Sequence, residues 1–544
     1  MIHDVGRSDG IDVEKMRKQT MMIRREMNLR PGLAQWLPAA LMGIIAFALV
    51  LVITDPPGPG LDPDALSYLG AAESLVAHGA YRIPSAKWTS ADSTEPLAHF
   101  PPAYPTVLAI PLGLGMAPAQ GARLIQAIAA CGTVTTLVLL VSVAASTSAG
   151  VLLALALFAM TAMHEVHVSV LSEPLFLACV AVVRAAMVLA PDRSLRAGIL
   201  AAIGAMTRYA GASLVGAAVL WGLLQPGRWH ERMRRATLAL VPALAVQGIW
   251  VLRTRAVAGR GEIRKFAFYG NLGPTFDQGG RTLAAWLIPD ASADHDPILH
   301  RPALALAAGC ALAVLAGLGL WRAWRAASAT ATSSPEQCDE QALVTCRLFA
   351  AASLLIACYA AVVGASRIIA DPTIPLDERI LAPALLLLMT MAAVGLARWW
   401  RETRLAGARV VVAVALLSWW CAAAAATRVE AWYALRWGSD FAGEQWRESD
   451  VLDWARRHGA GTPLYSNWPA AVYLYLHRPA RQLPRPSDAR TMAAFADTVR
   501  VRGGRVLLFD VQGEEFAPND SVIKARGFYT RERLRDGVVL GANP

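Results

Sequence analysis

Leu33-Ala-Gln-Trp-Leu-Pro-Ala-Ala-Leu-Met-Gly-Ile-Ile-Ala-Phe-Ala-Leu-Val-Leu-Val-Ile53 carries no charge, and Leu61-Asp-Pro-Asp64-Ala-Leu-Ser-Tyr68-Leu-Gly-Ala71 follows shortly after it. At ~1.5 Å rise per residue the first stretch reaches across the ~30 Å hydrocarbon layer of a bilayer. The second places carboxylates just beyond its end. Charge is costly inside a membrane, so acidic groups gathered at its edge are candidate chemistry. The loop runs on through Glu73, His78-Gly-Ala-Tyr81 and Phe100-Pro-Pro-Ala-Tyr104-Pro105.

Further apolar runs recur over most of the chain. Hydrophobic residues make up 55% of 544 and charged residues 17%, with mean hydropathy +0.39. A soluble domain carries ~25% charge, so this composition excludes an ordinary soluble protein. The expected spans are Leu33–Ile53, Gly121–Val143, Ala149–Met163, Pro174–Leu189, Leu195–Met206, Ala210–Leu224, Ala236–Leu252, Pro302–Trp321, Leu343–Ala365, Ile380–Ala397 and Val410–Thr427. Thr207-Arg208-Tyr209 interrupts two short ones, which read as half-length helices meeting at a polar tip. The expected fold is thus an α-helical polytopic membrane protein of about eleven transmembrane helices, followed by a small soluble α/β domain. That domain, 428–544, shows an amphipathic helix over Glu444–His458, a strand at Pro463–Ser466, a helix over Asp488–Arg500 and a strand at Arg505–Asp510.

Arginine placement orients the chain, because cytoplasmic loops retain Lys and Arg. With the basic tail 1–32 inside, eleven crossings put Arg193/Arg196, Arg228/Arg232/Arg234/Arg235, Arg322/Arg325 and Arg398/Arg401/Arg404/Arg409 inside. The first loop, 54–120, and the C-terminal domain fall outside, on the extracytoplasmic face of a bacterial plasma (inner) membrane. The net charge of +10 then reflects attraction to anionic inner-leaflet lipid. The basic residues are dispersed among short loops, which argues against a nucleic-acid partner. None of the seven cysteines falls in the long outside loops or the C-terminal tail, and their spacing fits no metal site. A divalent metal is an alternative without a ligand pattern behind it, and no cofactor is read from the sequence.

Asp62-Pro63-Asp64 has the form of a helix start: an acidic N-cap, proline in the first turn and a second acid near the positive helix end. Asp62 is read as that cap. Asp64 shares a helix face with Tyr68 and is the candidate general base. Ser172-Glu173-Pro174 is also an ordinary helix start, yet Glu173 lies on the same membrane face as Asp64 and is the second candidate catalytic acid. His164-Glu165-Val-His167 resembles metal-ligand spacing only loosely. Arg208, Arg253 and Arg379, at outside helix ends, offer planar bidentate donors suited to phosphate. Each alone could be an interfacial anchor.

Taken in order, these pieces resemble the GT-C superfamily of integral-membrane glycosyltransferases, and most of all the bacterial relatives of protein O-mannosyltransferases and lipid A aminoarabinose transferases. The resemblance runs over roughly Leu33–Thr427. It is carried by Asp64-Ala-Leu-Ser-Tyr68, Gly79-Ala-Tyr81, Phe100-Pro-Pro-Ala-Tyr104-Pro105, Ser172-Glu173-Pro174-Leu-Phe176, Thr207-Arg208-Tyr209 and Glu378-Arg379-Ile-Leu-Ala-Pro383. The chain departs from the pattern at Ala65, where an acid often stands, and lacks the paired Asp-Glu of the eukaryotic enzymes. The resemblance implies transfer of a monosaccharide from a polyprenyl-phosphate donor to a glycan, lipid or protein acceptor of the cell envelope, with inversion. In that reading Asp64 deprotonates the acceptor and Glu173 orients acceptor or sugar. Arg208 and Arg379, with Arg253, hold the donor phosphate, and Tyr68, Tyr81, Tyr104, His164 and His167 line the substrate cavity. A transporter or lipid flippase is the alternative, since a broken helix pair with a charge inside it suits a substrate pathway.

Overall fold

The computed structural model describes residues 31–258, 267–270, 272–289, 340–484, 489–510, 523–524 and 527–542. Ten of the expected spans fall within them, and each is helical; Pro302–Trp321 lies outside the described residues. Among the described residues six helices are long and apolar enough to cross a membrane: α1 (Leu33–Ile53), α4 (Pro118–Ala144), α10 (Trp229–Ala258), α12 (Glu340–Ile369), α13 (Glu378–Glu402) and α14 (Ala406–Trp437). Between α1 and α4 lie α2 (Pro63–His78) and α3 (Ala103–Gly113). A seventh crossing arises if the bent pair α5 (Thr147–Phe158) and α6 (Thr161–Val168) is one span, and α3, the helix Ser194–Thr207 and the 209–224 segment are shorter apolar helices. Leu37, Leu41 and Ile44 of α1 and Val410, Val411 and Leu417 of α14 are all exposed. Apolar surface on that scale needs lipid rather than water against it.

One expected span is corrected. Ala149–Met163 is broken at Ala159–Met160, and α6 departs at 66° from α5. The Ala159 carbonyl freed at the break is taken by the Thr427 hydroxyl at 2.7 Å, which is how broken backbone is tolerated among membrane helices. The interrupted pair holds as read. α8 (Ser194–Thr207) ends at Arg208, which is extended (φ −146°, ψ 145°); a 3₁₀ turn at Tyr209–Gly211 then leads into α9 (Ala212–Leu224). The two halves pack on each other, and a Cβ at Gly211 would lie 2.3 Å from the Gly204 carbonyl.

Glycine also sets the approach of α8 to α10. A Cβ at Gly198 would meet the Ala239 carbonyl oxygen at 2.5 Å and its Cα at 2.7 Å, the close backbone contact that small residues permit between membrane helices. Gly198→Val therefore costs roughly 1–3 kcal/mol of stability through overpacking, read as a lower thermal midpoint in detergent. Gly132→Ala, where nothing lies within 4 Å, leaves the midpoint unchanged or raises it.

The soluble domain begins later than composition indicated, because α14 continues to Trp437. The expected helix 444–458 is split into α15 (Glu444–Arg447) and α16 (Asp450–His458). The break is Ser449, whose hydroxyl accepts from the Leu452 amide. α17 (Pro469–Leu476) and α18 (Ala489–Arg502) complete the helices. The sheet has six strands in the order β2-β5-β4-β6-β8-β7, formed by Ser85–Lys87 (β2), Leu464–Ser466 (β4), Ala480–Gln482 (β5), Arg505–Phe509 (β6), Phe528–Leu534 (β7) and Gly537–Ala542 (β8). β2, β5, β4 and β6 run parallel, with β8 and β7 antiparallel beyond them. The side chains of β6 alternate: Leu507 and Phe509 pack with Trp446 and Leu452, and Val506 and Leu508 pack with Phe495 and Val499.

β2 belongs to the first loop, not to the C-terminal segment. The same loop forms a small ribbon of β1 (Arg82–Ile83) with β3 (Glu95–Pro96). Leu66 of α2 is buried in the domain core beside Phe441 and Trp446, and the Tyr473 hydroxyl donates to Glu73. The 54–120 loop and the C-terminal domain are thus packed together on one face of the membrane bundle.

Candidate functional site

Three chain-distant helix starts and one helix break converge at that face. Asp62 caps α2 as read: its Oδ1 accepts from the Asp64 amide at 2.9 Å, with Pro63 in the first turn and Gly79 in the left-handed conformation (φ 66°) at the other end. Asp377 caps α13 in the same way, accepting from the Ile380 amide at 2.8 Å. Between them comes α7 (Glu173–Leu189), with Pro174 in its first turn, and Arg208 arrives from the break between α8 and α9.

Glu173 is 5% exposed and joins both arginines. Its Oε2 is paired with Arg208 Nη1 and its Oε1 lies 3.5 Å from Arg379 Nε. Arg379 Nη1 reaches Asp62 Oδ2 at 3.2 Å, and its Nε lies 4.0 Å from Asp377. Arg208 Nη1 also donates to the Ser172 hydroxyl at 3.1 Å, which is 3.2 Å from the Tyr68 hydroxyl. Arg379 Nη2 and both Nε and Nη2 of Arg208 carry no protein acceptor among the described residues. Glu173, Phe176, Arg208, Tyr359, Arg379 and Pro383 line one tight recess in which polar and apolar groups meet. Spare planar donors there suit an anionic group.

Asp64 is half-buried on the adjacent turn. Burial pushes its carboxyl up to about 6, reinforced by the negative Asp62 and Glu173, while Arg379 and Arg208 pull the other way. A carboxylate tuned into this range can accept a proton near neutral pH and still release it. Burial, with Asp64 alongside, pushes the Tyr68 phenol far above its ordinary value, so Tyr68 serves as a neutral hydroxyl. Its ring packs against Phe100 and, edge-on, against Tyr104. Tyr104 is fully buried, with its hydroxyl unpartnered among the described residues.

Of the residues singled out in sequence, Asp64, Glu173, Arg208, Arg379 and Tyr68 come together, with Tyr104 behind Tyr68. Arg253 does not join them. Its guanidinium donates to the carbonyls of Leu97 (2.5 Å) and Tyr81 (2.9 Å) and lies over the Trp250 ring at 4.8 Å. It straps the first loop to α10, and the expectation that it holds phosphate is corrected on that ground. Tyr81 belongs to the same strap: it stands edge-on to Trp250 and bonds Thr106 at 2.8 Å. His167 donates from Nδ1 to the Met163 carbonyl at 2.7 Å within its own helix. His164 lines a separate cavity.

Sequence reading gave Asp62 a capping role alone, and the structure adds the second one on its other oxygen. It also missed Asp440, beside Ser169, whose hydroxyl donates to it at 3.1 Å; desolvation of its carboxyl and the negative Asp62 push it up. Its backbone pairs with Leu61, the residue before Asp62, and it holds φ 52°. The only local signal was the Gly438-Ser-Asp440 turn. Among the described residues no group of three or more His, Cys, Asp or Glu converges as metal ligands do.

No family model matches the sequence, and no curated protein does. Solved structures do match. An arabinofuranosyltransferase, AftD from Mycobacteria, aligns over 93% of this chain and 41% of its own length, with TM-score 0.51 at 15% identity. ArnT from Cupriavidus metallidurans in the apo state aligns over 93% and 98%, with TM-score 0.48 at 16% identity. The same protein bound to undecaprenyl phosphate aligns over 94% and 100%, with TM-score 0.48 at 14% identity. The likeness is one of fold.

Proposed function

From a chain with the GT-C fold, we propose a membrane glycosyltransferase that moves a monosaccharide from a polyprenyl-phosphate donor to a cell-envelope acceptor on the extracytoplasmic face. The observation that carries this reading is the convergence of two guanidinium groups with spare donors on Glu173, next to a carboxylate lifted to about 6. The lipid would lie between helices and present its phosphate to Arg208 and Arg379. Charge builds on that phosphate as the anomeric bond breaks, and preorganised cations in a water-poor site stabilise it. Asp64 takes the proton of the acceptor nucleophile, which attacks the anomeric carbon from the opposite side and inverts it. Tyr68, neutral, holds Ser172 and the arginine network. Acidic groups gathered at one membrane face, rather than at mid-depth, favour an enzyme over a transporter. Purified protein given labelled polyprenyl-phosphate sugar releases free polyprenyl phosphate if this reading holds; movement of intact donor between leaflets without release supports the transporter.

Glu173 has a distinct place in this scheme. It occupies both guanidinium groups that the donor phosphate needs, so it competes with the phosphate while holding the arginines in place. Glu173→Gln removes the competing charge. Polyprenyl phosphate then binds more tightly, while removal of one partner from a buried pair costs ~3–5 kcal/mol of stability. Titration of a fluorescent polyprenyl phosphate alongside thermal melting checks both signs; weaker binding with an unchanged midpoint overturns the assignment.

Sidedness follows from the arginine distribution. Asp92→Cys and Arg457→Cys, both at exposed positions, react together with an impermeant thiol reagent in intact spheroplasts, and Arg234→Cys does not. Labelling of Arg234→Cys in place of the other two reverses the orientation.

A further inference from the structure

A cavity of about 400 Å³ opens between α6 and the last turns of α14, lined by His164, Glu165, Glu430, Tyr433, Trp437 and Ser439. It is separate from the cleft that holds Arg208 and Arg379. Its walls are two aromatic rings and two carboxylates, and neither carboxylate has a hydrogen bond or ion pair among the described residues. Arg436, next to the lining residue Trp437, lies against that ring at 5.4 Å and pairs with neither acid. His164 is 7% exposed, and its ring makes no hydrogen bond among the described residues. A buried polar ring with no partner, turned to an open cavity, is a group waiting for a ligand.

The charge of the cavity narrows what that ligand is. Two acids with no paired cation offer phosphate no donors, so the donor head group is disfavoured here. A neutral polyol would leave both acids without a counter-charge. A primary ammonium satisfies each feature at once: it donates three hydrogen bonds, neutralises the acids and rests on an aromatic face. The Ser439 end of the cavity abuts Asp440, whose backbone pairs with Leu61, so the occupant ends beside the start of the helix that carries Asp64.

We propose that this cavity binds a primary ammonium group on an amphiphile. Resting on the glycosyltransferase reading, it is the acceptor's subsite. The amine can belong to an amino sugar or to an ethanolamine lipid head group. The test is binding to the full-length protein in nanodiscs, followed by Trp fluorescence. The probes are octyl glucosaminide against octyl glucoside, and lysophosphatidylethanolamine against its N-acetylated form. The amine probes are expected to bind at least ~10-fold more tightly than their counterparts without the ammonium, and the difference is lost in Glu165→Gln/Glu430→Gln. A stronger response in the first pair, whose reference is neutral, points to an amino-sugar acceptor, and in the second, whose reference keeps the phosphate charge, to a lipid head group. Equal binding of octyl glucosaminide and octyl glucoside together with equal binding in the second pair overturns the proposal, as does a double variant that keeps the preference. Binding of polyprenyl phosphate by the double variant verifies that it folds. Absence of glycosyl transfer in the donor-release assay refutes the enzymatic reading without touching this result.

Discussion

Asp64→Asn is expected to lower glycosyl transfer by roughly 10²–10⁴-fold, the range a positioned general base supplies. The amide keeps the shape of the side chain and the helix start, since the capping oxygen belongs to Asp62. Binding of polyprenyl phosphate is therefore kept, and the loss falls on kcat. The pH dependence gives a second readout with a definite sign. The carboxylate must be ionised to take the acceptor's proton, and burial lifts it to about 6. In the parent enzyme kcat/KM rises tenfold per pH unit below about 6 and levels off above it. A bound donor phosphate adds negative charge nearby, so the corresponding limb in kcat moves to higher pH. The residual activity of Asp64→Asn shows no such limb. If the limb persists unchanged in that variant, the base lies elsewhere. Asp62→Asn is the informative neighbour: Asn caps helices well, but the contact with Arg379 at 3.2 Å loses its charge. A weaker donor interaction with the acid limb in place is the expected pattern.

Arg208→Lys and Arg379→Lys are each expected to weaken donor use by about 2 kcal/mol or more, roughly 30-fold. Lysine keeps the charge and loses the planar fork. At Arg379 that fork spans Glu173 and Asp62 through Nε and Nη1, and an ammonium cannot bridge both and still present a donor to phosphate. At Arg208 one nitrogen serves Glu173 and Ser172 together, and the spare nitrogens vanish on substitution. Donor affinity and single-turnover rate in nanodiscs separate binding from chemistry. Arg253→Lys is the contrast. Its contacts are the Leu97 and Tyr81 carbonyls and the Trp250 ring, so it lowers the thermal midpoint by loosening the first loop and leaves phosphate affinity near that of the parent. A wild-type response at Arg208→Lys marks that residue as an anchor and moves the phosphate site away from the cleft.

The amino-acid sequence by itself determined whatever depends on neighbours along the chain. Run length and hydropathy located the apolar cores of the membrane helices, because each must satisfy its backbone internally in lipid, although Trp229–Ala258 and Ala406–Trp437 run well beyond their expected ends. Asp62-Pro63 and Glu173-Pro174 announced helix starts, because capping is a contact over two or three residues. Arg208 announced the break between α8 and α9, since an isolated charge in an apolar stretch is too costly to be idle. The tertiary structure alone decided which charges meet. Glu173 takes both arginines, Asp62 adds an ion pair to its cap, Arg253 is spent on loop carbonyls, and β2 leaves the first loop to extend a sheet whose other strands come nearly four hundred residues later. Partners so far apart in sequence share no period or spacing. Their choice follows from the packing of whole helices and from the cost of leaving any one charge unpaired where water is scarce.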